Sequence, residues 1–399
     1  MIGSRGENLI FIISQPRAGS TLLQLILSGH PDIATTSEPW IALHPLFAFR
    51  DIGIDTVFHS QVARQAVSDF LKQSGIDESF YKNQVGIFLL SFYRQSTEYQ
   101  KKKIFLDKTP RYFHVVFELI ELFPEAKFII LFRNPLAVLN SIIKTWVKDD
   151  LSLLAEYRDD LLVAPLKMVE CLRLSPHQCF KVRYEDIVTD PDTFTKEICQ
   201  FLNISYSNDL LDYTNRRNPQ WRFLDPIGIQ QSNRPTHHSL SHWEKNFITP
   251  QDKLLAMSYL QALSPDLVKE MGYDYDKMSA SIDYLPEELK KNSIFWSTLM
   301  SEEIGFSKTK QVRNLLLKVF SNEKIWRSGT NNVDNNTDDS AWRDIIQYAT
   351  KRLMEGKLHS SIQERNQMKK ELDAMRSSLS WKITAPARMI KKAFRKEDG

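Results

Sequence analysis

The chain predicts an α/β fold in three layers, a central parallel sheet with helices on both faces, followed by a C-terminal helical extension. Three observations predict it. Apolar runs at 9–13, 104–106, 127–132 and 180–184 alternate with segments of helix length, as strands joined by crossover helices do. The run at 127–132 is apolar nearly throughout, the pattern of a strand covered on both faces. The first run leads through Ser14-Gln15-Pro16-Arg17-Ala18-Gly19-Ser20-Thr21 straight into the apolar segment 22–27, which gives strand, tight loop and helix in the order of a P-loop.

Composition narrows the class. The 399 residues, 42% hydrophobic and 25% charged, suffice for one large α/β domain with appendages, or for two domains. A net charge of +3 is too small to indicate a nucleic-acid partner. Cys171, Cys179 and Cys199 have neither metal-ligand spacing nor an even count for disulfides, so they read as buried thiols in a reducing compartment. No apolar run reaches the roughly 18 residues of a membrane span, and Ser14 and Arg17 interrupt the first patch too early for a signal peptide. The expectation is a cytoplasmic protein.

The first loop has the spacing G-x-x-x-x-G-K-[ST] with two departures. Ser14 stands at the first glycine, and Ser20 stands where a lysine would meet β- and γ-phosphates. The cation sits inside the loop instead, as Arg17. This is a phosphate cradle not built for ATP.

Further along, Gly29-His30-Pro31 stops the first helix. The polar stretch Thr35-Thr36-Ser37-Glu38-Pro39-Trp40 carries one carboxylate where the chain re-enters the sheet. Residues 51–103, with helical periodicity at 61–72 and 85–97, read as an insertion over the site, and Lys101-Lys102-Lys103 as a solvated run. The strand at 104–106 ends in Asp107-Lys108-Thr109-Pro110, and a buried helix is predicted over 112–123. The strand at 127–132 ends in Arg133. Asn134 as N-cap and Pro135 at N1 then start a helix running to about Trp146. A longer helix is expected over 151–173, a strand at 180–184, and a helix from Asp190-Pro191. Parallel topology places Arg17, Glu38, Lys108, Arg133 and Tyr184 along one edge, beyond the strands' carboxyl ends.

The segment 216–246 is a basic loop. His237, His238 and His242 lie at near-metal spacing, but no H-E-x-x-H carboxylate accompanies them, so no metal is expected. The domain reading is 1–276 for the α/β unit, 277–326 for a helical extension, 327–340 for a polar linker and 341–399 for a long helical segment. Its imperfect heptad admits a partner helix or a homodimer contact. Residues 376–396 hold seven Lys and Arg and no acid, which suits an anionic membrane surface, an acidic partner, or simply a solvated tail.

Two arginines, with Arg133 standing where a nucleotidase of this architecture carries its metal-binding Asp, suit a ligand with phosphates at two separated positions rather than a metal-bridged triphosphate. At these residues the chain resembles the sulfotransferases that use 3′-phosphoadenosine 5′-phosphosulfate (PAPS). The segment 16–23 is similar to their 5′-phosphosulfate loop, and 133–141 to their 3′-phosphate motif. The nearest branches are the tyrosylprotein, heparan and bacterial carbohydrate enzymes. The resemblance, over about residues 8–275, implies that Arg17, Ala18, Gly19, Ser20, Thr21 and Leu22 hold the 5′-phosphosulfate, and Arg133 and Ser141 the 3′-phosphate. It also implies Lys108 near the transferring group, Tyr184 in the site, and His242 at a position that is a cofactor-contacting lysine in relatives. The product nucleotide would be adenosine 3′,5′-bisphosphate, with no metal required.

Ser37-Glu38-Pro39 resembles the G-E-P segment of the bacterial carbohydrate enzymes, which implies Glu38 as the general base. His30, His44 and His114 are weaker candidates, since none sits at a predicted strand end. The expected acceptor is a hydroxyl of a glycan, glycolipid or peptide, with a carbohydrate favoured and its pocket built from 41–103 and 205–240. The alternatives are a P-loop kinase or NTPase, and a non-catalytic scaffold acting through the tail. The segment 378–386 resembles a C-terminal stretch of bacterial surface-polysaccharide glycosyltransferases, which favours a bacterial source and peripheral docking at the inner membrane face.

Overall fold

A computed structural model describes residues 2–282 apart from 49, 51–57, 148–150, 215, 217–232, 238–239, 241–242 and 244–249. Five parallel strands form one sheet: β1 (Leu9–Ser14), β2 (Ile33–Thr35), β3 (Ile104–Lys108), β4 (Lys127–Phe132) and β5 (Cys179–Arg183), in the order β2-β3-β1-β4-β5. After β1 the chain runs through α1 (Ser20–Leu27) to β2 at the far edge, and returns beside β1 as β3. It then crosses β1 to lay down β4 and β5. The sheet therefore reverses its winding at β1, where a ligand crevice opens beyond the carboxyl ends.

Strand side chains alternate between two cores. Phe11, Ile13, Phe105, Phe128, Ile130 and Phe132 face the larger one. There they meet α4 (Glu78–Gln100), α5 (Val116–Leu122), α6 (Pro135–Ile142), α7 (Ala164–Leu174), α10 (Pro250–Leu263), α11 (Pro265–Met271) and α12 (Tyr275–Ser281). Ile10, Ile12, Leu106, Ile129, Leu131 and Val182 face the other core, against α1, α8 (Tyr184–Thr189) and α9 (Pro191–Leu202). The short α2 (Leu43–Phe47) precedes the expected insertion at 51–103, which holds α3 (Ser60–Gln73) and α4. These are the three expected layers.

Three helices differ from their sequence pattern. The segment 112–123 is not continuous: a 3-10 turn, Pro110–His114, precedes α5, and Val115 at φ −125° separates them. Tyr112 is fully buried and its hydroxyl accepts from the Ala42 amide at 3.2 Å, so a tertiary bond sets the phase of the turn. The helix begun at Pro135 stays α-helical only to Ile142, then widens into a π turn, Ile143–Val147, which brings Trp146 onto Tyr157 with ring centroids 5.0 Å apart. The helix expected over 151–173 comes in three pieces, 3-10, π and then α7. In the π piece the Asp160 carbonyl accepts from Gln15 Nε2 at 2.9 Å, a partner outside the helix.

Helix α12 spans the expected boundary at 276, and Met278 and Ile282 pack in the larger core. Among the described residues no helix is long and apolar enough to cross a membrane. His242, the extension beyond residue 282, the linker and the basic tail lie outside the described residues.

Candidate active site

The loop between β1 and α1 is shaped by two left-handed residues. Arg17 has φ 69° and Gly19 φ 92°. At Gly19 a Cβ would stand 2.3 Å from Tyr184 Cδ2, so both the backbone angle and the ring demand glycine. The turn closes with Ala18 N donating to the Gln15 carbonyl at 3.2 Å. Gly19 caps α1 without a side-chain acceptor and no acid sits in the first turn. Leu22 N returns to the Gly19 carbonyl at 3.0 Å, while helix geometry leaves the amides of Ser20 and Thr21 no intrahelical acceptor. Those amides and the positive end of the dipole face the crevice, a setting for an anion. Ala18 and Leu22 are buried, one in each core, and anchor the loop from below.

Arg133, one residue past β4, donates from Nη1 to the Arg17 carbonyl at 2.9 Å, and its guanidinium lies 4.5 Å from the centre of the Tyr184 ring. The next residue starts α6: Asn134 Oδ1 accepts from Leu136 N at 2.9 Å, and Asn134 N is held by Glu185 Oε1 at 2.8 Å. Glu185 is fixed in turn by the Tyr273 hydroxyl at 2.6 Å. On α6, Ser141 Oγ accepts from Arg17 Nε at 3.1 Å, and the Arg17 guanidinium sits 5.8 Å from the centre of the Trp146 ring. The two separated motifs thus meet in one place.

Opposite them, Lys108 ends β3 with its side chain 1% exposed. Its Nζ donates to Glu38 Oε1 at 2.7 Å and lies 3.4 Å from Thr21 Oγ1. Glu38 follows β2 on a stretch pinned by α1: Gln24 Nε2 donates to Thr35 Oγ1 and to the Thr36 carbonyl, both at 2.8 Å. Trp40, at φ 59°, donates from Nε1 to Glu38 Oε2 at 3.0 Å. Arg111 stands 5.7 Å from the centre of the Trp40 ring and forks onto the buried Asp160, Nε to Oδ1 at 3.0 Å and Nη2 to Oδ2 at 2.7 Å. Beside Lys108, Asp107 turns to the other core. It accepts from the Tyr93 hydroxyl and from Thr109 Oγ1, each at 2.8 Å, and burial pushes its carboxyl up to about 6.

Arg17, Ser20, Thr21, Glu38, Lys108, Arg133, Ser141 and Tyr184 therefore gather along one sheet edge. The alternative histidines do not join them. His30 lies at the opposite, amino edge with both ring nitrogens engaged, Nε2 with Ser205 Oγ and Nδ1 with Asp32 N, each at 3.1 Å. His114 ends the 3-10 turn, where burial lowers it to about 4. His44 lies on α2. Sequence reasoning missed Gln24, Trp40 and the Arg111–Asp160 pair. Gln24 had a signal, a lone amide inside the apolar run 22–27. Asp160 had none, because its partner is distant in sequence. Among the described residues no group of three or more His, Cys, Asp or Glu side chains is placed to hold a metal ion.

Residues 9–208 match a family model described as "Sulfotransferase family". The chain is 27% identical over 217 residues to a putative protein-tyrosine sulfotransferase of Caenorhabditis briggsae, covering 53% of this chain and 70% of the relative. It is 36% identical over 138 residues to nodulation protein NoeE of Sinorhizobium fredii, 35% of this chain and 32% of that protein. Among solved structures, the sulfotransferase domain from the curacin biosynthetic pathway aligns over 71% of this chain and 100% of its own, at 20% identity and a TM-score of 0.45.

Proposed function

The chain belongs to the sulfotransferase family, and on that premise we propose that it moves a sulfuryl group from PAPS to a hydroxyl of a carbohydrate or glycolipid, with Glu38 as general base. The observation that carries this reading is the placement of Lys108 Nζ, 2.7 Å from the Glu38 carboxylate and 3.4 Å from Thr21 at the start of α1. One buried ammonium links the carboxylate to the anion cradle.

The residues fit the nucleotide. Gly19 keeps the loop backbone open where any Cβ would collide with Tyr184, and the donor set comprises two guanidinium groups, an ammonium and the first-turn amides. Arg17 and the amides of Ser20 and Thr21 would hold the 5′-phosphosulfate, and Arg133 with Ser141 the 3′-phosphate. When bound, PAPS supplies a sulfuryl group that passes to the acceptor oxygen, with adenosine 3′,5′-bisphosphate leaving. Glu38 takes the proton that the hydroxyl loses. Lys108 and Arg17 are fixed cations for charge that grows on oxygens in the transition state. Arg133 follows β4 at the place where a kinase of this architecture carries the carboxylate for Mg²⁺.

The sugar reading is supported by two partly exposed indole rings, Trp40 beside Glu38 and Trp146 beside Arg17. Flat aromatic surfaces of this kind pack against pyranose rings; here Arg111 lies over Trp40, and Tyr157 and Arg17 lie against Trp146. A second reading, a tyrosine hydroxyl, is favoured by relatives named protein-tyrosine sulfotransferase. In either case the activity resides in 1–276, and the basic segment 376–396 docks on an acidic surface of membrane or partner in the cytoplasm. The deciding experiment incubates the protein with labelled PAPS and a panel of glycans, glycolipids and tyrosyl peptides, with products identified by mass spectrometry. Label on a sugar oxygen supports the first reading, and label confined to tyrosyl peptides replaces it with the second. Label on none of them counts against the activity itself.

A further inference from the structure

Helix α4 is apolar on two faces. The inner face, with Val85, Leu89, Leu90 and Tyr93, packs into the larger core. The outer face exposes Phe80 (52%), Ile87 (58%), Phe88 (47%), Phe92 (50%) and Tyr99 (86%). The positions between them on that face are Asn83, Gln84, Ser91 and Gln95, with Arg94 at the edge beside Ile87, where its Nε donates to the Ile2 carbonyl at 2.9 Å, and Glu98 near the far end. An exposed aromatic patch depleted of charge has the composition of an interface core.

The order of the stripe names what covers it. From one end it runs aromatic, amide, aromatic, as Phe80, Gln84, Phe88; from the other it runs the same way, as Tyr99, Gln95, Phe92. A second copy laid antiparallel brings Phe80 to Tyr99, Gln84 to Gln95 and Phe88 to Phe92, and all three pairings share one axis near residue 90. We propose that the outer face of α4 is the interface of a two-fold homodimer.

An isologous contact of this kind sets the same patch against itself, so a charged stripe would repel its own image and an uncharged one does not. At the axis, Phe88 and Phe92 already form an edge-on pair, with centroids 4.9 Å apart and planes at 67°, where two aromatic rings per copy can serve as the central anchor. The stripe is about 30 Å long at 1.5 Å per residue. Half-exposed aromatic side chains present on the order of 100 Å² each. With the intervening amides the face approaches the ~800 Å² that each partner gives to a stable dimer. The proposal rests on α4 alone and does not depend on the reaction.

Light scattering on the full chain at micromolar concentration tests it. The expected mass is twice the 46.5 kDa of one chain, and the pair Phe88→Glu and Phe92→Glu should give a monomer that keeps its melting transition. Because two charges on an apolar helix can impair folding, a gentler variant stands beside them. Ser91→Cys, close to the axis, should crosslink to its counterpart under mild oxidation, whereas Ser74→Cys, exposed at the end of α3, should not. The three native cysteines are buried. A wild-type monomer, or a dimer that survives the glutamates and gives no Ser91→Cys crosslink, overturns the proposal. So does a monomer that binds lipid vesicles through this face, with binding lost in the glutamate variant.

Discussion

Trp40 holds Glu38: its indole Nε1 donates to Oε2 across 3.0 Å, from a backbone φ of 59°. A bulky residue seldom takes that angle, and such strain costs roughly 1–3 kcal/mol. It persists because the surroundings fix it. Arg111, clamped on Asp160, faces the Trp40 ring, and Ala42 N is tied to the Tyr112 hydroxyl. With Lys108 on Oε1, both oxygens of the carboxylate have a set direction. Trp40→Phe keeps a ring and removes the donor. A hydrogen bond to a charged group is worth about 1.5–3 kcal/mol, so kcat should fall by about tenfold to a hundredfold while KM for PAPS stays where it is. Steady-state kinetics with the nucleotide varied checks this. An unchanged kcat, or a loss confined to KM, shows that the indole does not orient the base.

Glu38→Gln and Glu38→Ala should separate chemistry from stability. Glutamine leaves an oxygen for the Lys108 ammonium, so the fold and the binding of adenosine 3′,5′-bisphosphate should survive. Turnover should drop by a factor on the order of 10² or more, because an amide cannot take the acceptor's proton. Alanine instead strands an ammonium whose side chain is 1% exposed. Breaking a buried pair in this way costs about 3–5 kcal/mol, so Glu38→Ala should melt well below both other proteins. Calorimetric binding, turnover and thermal melts read the three effects separately.

Arg133→Ala should remove most of the stabilisation that adenosine 3′,5′-bisphosphate confers. A ligand at about 100 times its Kd adds about 2.7 kcal/mol to a fold, which a thermal melt resolves. Arg133 also ties down the Arg17 carbonyl, so the alanine variant loosens the loop as well as losing a cation. Arg133→Lys discriminates between these roles. It keeps the charge but not the fork or the stacking on Tyr184, and should recover only part of the shift. Full recovery would reduce the role of Arg133 to a point charge.

Much of this edge was legible in the sequence, for a topological reason. Once strands are parallel, every residue just past a strand belongs to the same rim, so Arg17, Glu38, Lys108, Arg133 and Tyr184 could be grouped without knowing one distance. What the sequence lacked was any contact that closes over a long separation. Asp160 meets both Gln15 and Arg111 inside an irregular helix, and a periodicity that reads as one helix over 151–173 says nothing of it. The split of 112–123 has the same origin, since the partner of Tyr112 is the amide of Ala42. Trp40 was visible as a residue but not as a donor, because its bond to Glu38 depends on a backbone angle that no propensity favours.

The pH dependence of stability should carry a signature of Asp107. This carboxyl is fully buried between Tyr93 and Thr109, and burial holds it up at about 6. In the unfolded chain it loses its proton near the ordinary value of about 3.9. Between these two pH values the folded state keeps a proton that the unfolded state has released. Stability from this group therefore falls as pH rises, and the loss is complete above about pH 6. Two pH decades at 1.36 kcal/mol each make it about 3 kcal/mol. Below about pH 4 both states are protonated and the term vanishes. Other groups titrate in the same range, so the quantity to read is the difference in unfolding free energy between Asp107→Asn and wild type. Any constant offset from altered hydrogen bonds drops out of its pH dependence. The difference should shift in favour of the asparagine variant by about 3 kcal/mol between about pH 4 and pH 7. Urea unfolding across that range measures it. A difference that stays flat means that Asp107 ionises in the folded chain as readily as in the unfolded one, and that the hydrogen bonds from Tyr93 and Thr109 offset its burial.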